Sequence, residues 1–350
     1  MSFRKTLLIA ACVILTGITL LHGLLNLGWF APRTASADGI GRDKFRVGFL
    51  PVTCHLTCPV TDFINKQTTG GSNFDPVRFH GWPELKEAYL SGYTPATFIL
   101  APMAIALREQ GVPIKIVYLG HREGGDVMVH RDSGIYRTED LRGKTVAVPG
   151  RYANHRLIFY RELKKAGMKL SDVNLVEMPP PDMPAALYSR SVDAITSGEP
   201  FPGQTEMDGY GRALYRVKEV WPGFISCVLA VHEDTIKNRR AEVQALVDGI
   251  AKSGKWLDAN MTNRMDAAQF VSKFYYNQHP RLLEFVLSKP PDRVIYSNLK
   301  PLRANFEEIE QLAKEAGILQ GTAHFDDYVD TSFAPEDDAV QAHAYAAAQP

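Results

Sequence analysis

Residues able to do chemistry crowd one short stretch of this chain. Thr53, Cys54, His55, Thr57 and Cys58 fall within six consecutive positions. Two thiols and an imidazole at this spacing admit three roles. Cys54 and Cys58 could close a disulfide, which a separation of four permits only where the chain turns tightly. With His55, and with His121 or Met103 from further along, they could hold a soft metal such as copper, iron or zinc. They could also line a polar pocket with no metal. The motif supplies too few ligands to decide, and all three roles stay open.

Other candidates lie further on. The run Gly120-His121-Arg122-Glu123-Gly124-Gly125 follows an apolar segment, and its glycines let backbone N–H groups come close to a ligand. Arg122 could grip an oxyanion by a charge-assisted pair, or be a surface arginine paired with Glu123. Arg151, Tyr152 and Asn154 precede or open a helical pattern, a place suited to anions, although Asn154 could simply cap that helix. Glu199 sits in Ser197-Gly198-Glu199-Pro200-Phe201, another segment between a strand pattern and a helix pattern. Three look-alikes fail on context. Gly143-Lys144-Thr145 precedes a strand and lacks the first glycine of a phosphate loop. His130-Arg131-Asp132 matches a kinase triplet by letters only. Asn260-Met261-Thr262 is a glycosylation site only in a eukaryotic secretory route.

The elements needed to position these residues are legible from periodicity. Phe45 to Leu50 reads as a strand broken by Pro51, and an apolar helical pattern starts behind Thr57, which suits an N-cap, and Pro59. Strands at Val77–Phe79, Thr97–Leu100, Ile114–Leu119 and Asp126–His130 alternate with helices, and Arg131 to Gly134 reads as a turn or hinge. A second series follows, with strands at Lys144–Val148, Val173–Met178 and Val192–Thr196. Phe224 to Val231 is a long apolar strand that could return to the first series. Helical patterns dominate from Asp234 to Ala316. Alternation of this kind predicts parallel sheets covered on both faces, with ligand-side loops at the carboxyl ends of strands.

Composition narrows the partners. Lysine plus arginine and aspartate plus glutamate each total 39 in 350 residues, so the basic excess that nucleic acid demands is missing. Arg4 and Lys5 precede an apolar segment from Leu7 to about Leu25, and Ala35-Ser36-Ala37 offers a small-x-small cleavage pattern. Residues 1–37 read as an export signal, with an uncleaved N-terminal anchor as the alternative. The lipoprotein-like Ile9-Ala10-Ala11-Cys12 falls too early in the apolar run. Cleavage after Ala37 would leave Cys54, Cys58 and Cys227, an odd number for an oxidising compartment.

DLRGKTVAVPGRYANHRL at 140–157, VEMPPPDMPAALYSRSVDAITSGEPFPGQ at 176–204, VGFLPVT near the mature start and LAVHEDTI at 229–236 together resemble the periplasmic substrate-binding proteins of the nitrate, sulfonate, taurine and bicarbonate ABC importers. The likeness runs from about residue 44 to 320. It implies an α/β, bilobed type II periplasmic binding protein: two Rossmann-like lobes joined by two hinge strands, with a small ligand in the cleft. Lobe 1 is then 44–130 plus 225–332, lobe 2 is 131–224, and 333–350 is a flexible tail. The resemblance implies no enzymatic activity and no cofactor beyond the possible soft metal. It implies capture of a small, anionic ligand in that cleft, and the candidates that the loop positions offer for it are Thr53, Cys54, His55, Thr57, Met103, His121, Arg122, Arg151, Tyr152, Asn154 and Glu199. By the same resemblance the Glu199 loop borders the cleft. The implied partners are a membrane permease and its ATPase, and the implied location is periplasmic or otherwise extracytoplasmic. The Cys54-His55-Cys58 elbow departs from the nitrate and sulfonate pattern. It keeps open a thiamine-pyrimidine-precursor protein of the same fold, or a soft-metal binder or exported sensor.

Overall fold

The computed structural model describes residues 44–336 and Asp338, with Lys5, Val13, Leu15 to Gly17 and Thr19 from the first segment. Apart from those six positions, the export or anchor segment at 1–37 lies outside the described residues, as does the tail beyond Asp338. Among the described residues, no helix is long and apolar enough to cross a membrane. The chain divides into Met1–Asp43 and Lys44–Pro350, and the α/β fold occupies the second unit.

Among the described residues, eleven strands follow one another as β1 (Phe45–Phe49), β2 (Phe74–Arg78), β3 (Ala96–Ile99), β4 (Ile114–Glu123), β5 (Val127–His130), β6 (Thr145–Val148), β7 (Asn174–Glu177), β8 (Ala194–Thr196), β9 (Gly211–Tyr215), β10 (Ile225–His232) and β11 (Val294–Ile295). They build two sheets, in the orders β11-β4-β10-β3-β1-β2 and β7-β6-β8-β5-β9. Each sheet is mixed. β1 runs parallel to β2 and β3, and β6 to β7 and β8, as the alternating pattern predicts. The strands next to the crossings, β10 and β5, run antiparallel to their neighbours. Every residue of β4 but Lys115 is buried, as expected of a strand covered on both faces.

The first sheet packs Phe45, Val47, Phe98, Tyr118, Val228 and Leu229 into the main core. A second cluster joins Phe49, Leu56 and Val60 to the C-terminal helices through Leu257, Val271, Leu283 and Val286. This places those helices on lobe 1. Lobe 2 has its own apolar set, including Met128, Ala147, Met183, Leu187 and Ile195.

Two boundaries differ from the sequence expectation. β5, assigned above to the end of lobe 1, pairs with β8 and β9 and so belongs to the second sheet. The chain changes direction earlier than Arg131, at Glu123 and Gly124, whose φ values of 65° and 70° are both left-handed. That conformation turns the strand abruptly and costs a non-glycine residue about 1 kcal/mol or more. The described residues of the expected tail are packed and not free: Phe333 is buried in the main core, and the buried Asp338 accepts a hydrogen bond from the Tyr118 hydroxyl.

The outward crossing (Glu123 to Asp126) and the return (Arg216 to Phe224) are clipped together. Gly223 N–H donates to Glu123 Oε1 at 2.6 Å, Glu123 N–H to the Phe224 carbonyl at 2.9 Å, and Val217 N–H to Asp126 Oδ1 at 3.1 Å.

Candidate functional site

The elbow after β1 is a 3-10 turn, Thr53–His55, that runs through Leu56 into the helix Thr57–Thr69. Thr57 is therefore the first helical residue and not the N-cap, which is Leu56. Two tyrosines pin the elbow from the C-terminal region: Tyr276 donates to the Val52 carbonyl at 2.6 Å and Tyr296 to the Thr53 carbonyl at 2.9 Å. From lobe 2, the Glu199 carbonyl accepts from Thr53 N–H at 2.7 Å and from its hydroxyl at 3.2 Å. The elbow is thus fixed where the two lobes meet.

Thr53, Cys54, His55, His121, Asn154, His155, Ser226 and Cys227 form a fully buried cluster along this seam. Thr53 Oγ1 meets His121 Nε2 at 2.8 Å, and Cys54 Sγ lies 2.7 Å from Cys227 Sγ. From lobe 2, Asn154 Nδ2 donates to the carbonyls of Ile225 and of Ser226, the latter at 3.0 Å. Six polar atoms here have no protein partner: His55 Nε2, His121 Nδ1, Asn154 Oδ1, Ser226 Oγ and both ring nitrogens of His155. A buried polar atom without a partner costs about 1–3 kcal/mol, so such a concentration, drawn from both lobes, marks a place built to be filled. An open cleft of about 380 Å³ lies between Pro51, Arg78 and Gln278 of lobe 1 and Phe201 and Gln204 of lobe 2. It is the outer edge of the seam, and none of its lining residues belongs to the cluster.

Electrostatics in the cluster are set by burial and by sulfur. Burial pushes the Cys54 thiol up, but the hydrogen bond from Cys227 and the neighbouring His55 and His121 outweigh it and hold Cys54 well below the ordinary range. Cys227, buried and giving its proton to that pair, is raised well above it. Burial lowers His121 and His155 to about 4, against the opposing charge of Cys54. Both imidazoles are therefore neutral at pH 7.

The remaining sequence candidates separate. Cys58 is buried on the helix with its thiol raised by burial and by Asp62, and the sulfur next to Cys54 is that of Cys227. A Cys54–Cys58 disulfide, one of the three roles left open for the elbow, is not formed, because the helix begins at Thr57 and carries Cys58 away from the elbow. Met103 is a core residue of the helix Ala101–Glu109. Arg122 neither sits on the surface nor points into the cluster. Consecutive strand residues face opposite ways, and with His121 turned to Thr53, Arg122 donates instead to the carbonyls of Asn298 and Gly223, each at 2.8 Å. Arg151 is exposed beside Tyr152 and donates to the Gly317 carbonyl at 3.3 Å. Asn154 is not a cap, since Ala153 holds that position. Asn154→Ala is expected to cost about 1–2 kcal/mol, because two crossing-strand carbonyls lose their donor; thermal melting reads this as a drop of a few degrees.

Glu199 is a buried structural acid. It accepts from Gly203 N–H and from Arg293 Nη1, each at 2.8 Å. Burial raises it to about 7, opposed by Arg293 and reinforced by Asp126. Arg293 also reaches Glu206 at 2.7 Å, and Glu206 binds Arg216. Sequence reasoning missed Arg293, His155, Ser226 and Cys227. The sequence held one signal for Cys227, a third cysteine on a strand already expected to return to lobe 1.

Two mixed sheets, two crossings and a buried polar seam between the lobes define the class of bilobed binding proteins. The chain belongs to the NMT1-like family, whose model matches residues 38–272. It is 22% identical over 298 residues to the putative aliphatic sulfonates-binding protein of Escherichia coli, covering 83% of this chain and 87% of that one. The ATP-binding proteins of nitrate and bicarbonate import from Synechocystis match at 20% and 27% identity, and the chain spans only about a third of their length, 36% and 32%. Among solved structures, the zinc-bound ligand-binding component of an ABC-type import system from Staphylococcus aureus superposes with a TM-score of 0.74 at 25% identity, covering 83% of this chain and 98% of that one. The desulfurization enzyme DSZB shares the fold, with a TM-score of 0.61 at 16% identity over 86% of this chain and 100% of that one.

Proposed function

We propose that this chain is the extracytoplasmic solute-binding component of an ABC importer. Its lobes close on one small solute at the seam, and the closed form docks on a membrane permease driven by an ATPase. The observation that carries this reading is the set of six unpartnered buried polar atoms contributed by both lobes. Relatives named for nitrate, bicarbonate and aliphatic sulfonates support the transport role and make small oxyanions the first solutes to test. The seam itself offers an oxyanion only neutral donors. The buried arginines among the described residues, Arg122, Arg264 and Arg293, hold backbone carbonyls or carboxylates elsewhere. A second reading, a soft metal, is favoured by the sulfur and imidazole donors, and the zinc in the Staphylococcus structure agrees with it.

The test is thermal melting and small-angle scattering of the protein with nitrate, bicarbonate, short sulfonates, and zinc or copper(I). The expected result is a rise of several degrees and a more compact particle with one of them, weakened by His155→Ala and by Ser226→Ala. No shift and no compaction with any member, or turnover of one of them, overturns the receptor reading.

A further inference from the structure

The two cysteines of the seam sit among imidazoles whose free lone pairs can be assigned. One donor atom each from Cys54, His55 and Cys227 lies within 4.8 Å of the others. His55 Nδ1 accepts from Leu50 N–H at 2.7 Å, so the ring proton stays on Nε2, which has no partner in the present arrangement and offers no lone pair to a metal. His121 has the opposite arrangement. The Thr53 hydroxyl gives its proton to the Glu199 carbonyl, so it accepts from His121 Nε2–H, and the bare Nδ1 lone pair has no partner. Cys227 stands directly opposite His121 in the β10–β4 ladder, which puts their Cβ atoms on one face roughly 5 Å apart. His155 comes from lobe 2 with neither nitrogen engaged. It packs beside the Gly124–Gly125 crossing, which also touches His121: a Cβ on Gly124 would meet the His121 ring at 3.0 Å and one on Gly125 the His155 ring at 3.2 Å.

We propose that Cys54, Cys227 and His121 of lobe 1, completed by His155 of lobe 2, form a binding site for one thiophilic d10 metal ion, zinc(II) or copper(I). Two sulfurs and two imidazoles are a soft, four-coordinate set, and two thiolates balance the charge of a divalent ion inside a seam that holds no spare cation. His55 is a positioning residue: with the ion bound, its free Nε2–H serves the Cys54 sulfur as an outer-sphere partner. Tetrahedral zinc about 2.3 Å from each sulfur places the sulfurs roughly 3.7 Å apart, so loading separates Cys54 and Cys227 from their present 2.7 Å. Three ligands stand on lobe 1 and the fourth on lobe 2, so filling the site favours closure. The inference rests on the receptor reading only in making the ion the captured solute.

The experiment uses the full chain, stripped of metal under reducing conditions and titrated with zinc, with cobalt(II) as a spectroscopic stand-in and with copper(I) under anaerobic conditions. The expected result is one ion per chain, an intense sulfur-to-cobalt charge-transfer band, and uptake that weakens as pH falls because the thiols must deprotonate. Cys54→Ser, Cys227→Ser and His121→Ala each lower affinity at least 100-fold. His155→Ala lowers it about tenfold and removes the compaction. His55→Gln keeps the stoichiometry and shifts the cobalt band, which a purely structural residue would not do. Cys58→Ala changes none of these. Because a variant can fail by misfolding, each is checked by circular dichroism, and thiols are counted in the unreduced wild type. A Cys54–Cys227 disulfide in protein from an oxidising compartment, no uptake, or uptake indifferent to all four ligand variants overturns the metal site. Compaction on oxyanions without metal uptake overturns the metal site and leaves the receptor reading standing. Tight metal uptake with no compaction on any solute does the reverse.

Discussion

Arg293→Ala lowers the melting temperature by roughly 10 °C at pH 8, and by clearly less at pH 5. Arg293 is the lobe 1 side chain inserted into the lobe 2 carboxylates, 2.8 Å from Glu199 and 2.7 Å from Glu206, with its own side chain only 2% exposed. Removing one member of a buried pair strands the other, at about 3–5 kcal/mol, and a domain of this size shifts by about 2–4 °C per kcal/mol. The pH dependence follows from Glu199. Its folded pKa, raised to about 7 from 4.5, lies above its unfolded value, so between those limits the folded state carries a proton that the unfolded state has lost. The stability this group contributes is complete below pH 4.5 and is lost as pH rises through 7. Near pH 5 Glu199 is already neutral, and loss of Arg293 takes a partner only from Glu206, which Arg216 still holds; near pH 8 it strands the buried Glu199 charge as well. Glu199→Gln is expected to flatten the fall in melting temperature between pH 5 and 7. A penalty for Arg293→Ala that stays constant across that range would show that no ionised pair forms.

Gly120→Ala is expected to cost about 3 kcal/mol, at the upper end of overpacking penalties, and to abolish solute binding. A Cβ there would stand 2.2 Å from the Cys54 carbonyl oxygen and 3.2 Å from its carbon. Both are backbone atoms of the pinned elbow, so no side chain can move aside. Relief requires the 3-10 turn to withdraw from β4, which breaks the Thr53–His121 contact and the Cys54–Cys227 approach together. Gly71→Ala, with nothing within 4 Å, serves as the control and should stay within about 0.5 kcal/mol of the parent. Melting and the solute-induced shift measure both effects. A Gly120→Ala protein that melts and binds like the parent would show that the elbow is not held where the structure places it.

Much of this architecture was legible before any coordinates. The helices at Trp82–Leu90, Asn154–Lys165 and Arg303–Glu315 and the strands β3, β6, β7, β8 and β10 fall within a few residues of their periodic patterns, because each buries a face whose spacing is local information. Several elements escaped. β9 and the helices Val217–Val220 and Phe325–Tyr328 had no pattern assigned, the helix Pro280–Ser288 was not separated within the helical region from Asp234 to Ala316, and β11 is a two-residue strand that forms only because β4 offers it an edge. β4 itself runs on through His121 and Arg122 into residues read as a loop. Its polar end is a strand because β10 and β11 pair with it, and pairing of this kind carries no signature in the strand's own residues.

The sequence alone determined the family, the two-lobed α/β plan and the importance of the elbow at Thr53 to Thr57, since strand period, turn residues and motif order are all written along the chain. Tertiary structure alone decided which side chains share the seam. It replaced Cys58 with Cys227, turned Arg122 away from the centre, brought His155 across from the other lobe and made Glu199 the partner of Arg293. The reason is physical. A site assembled from a turn, two antiparallel strands and a facing helix depends on register and on strand-face parity, and these are fixed only when distant segments pack.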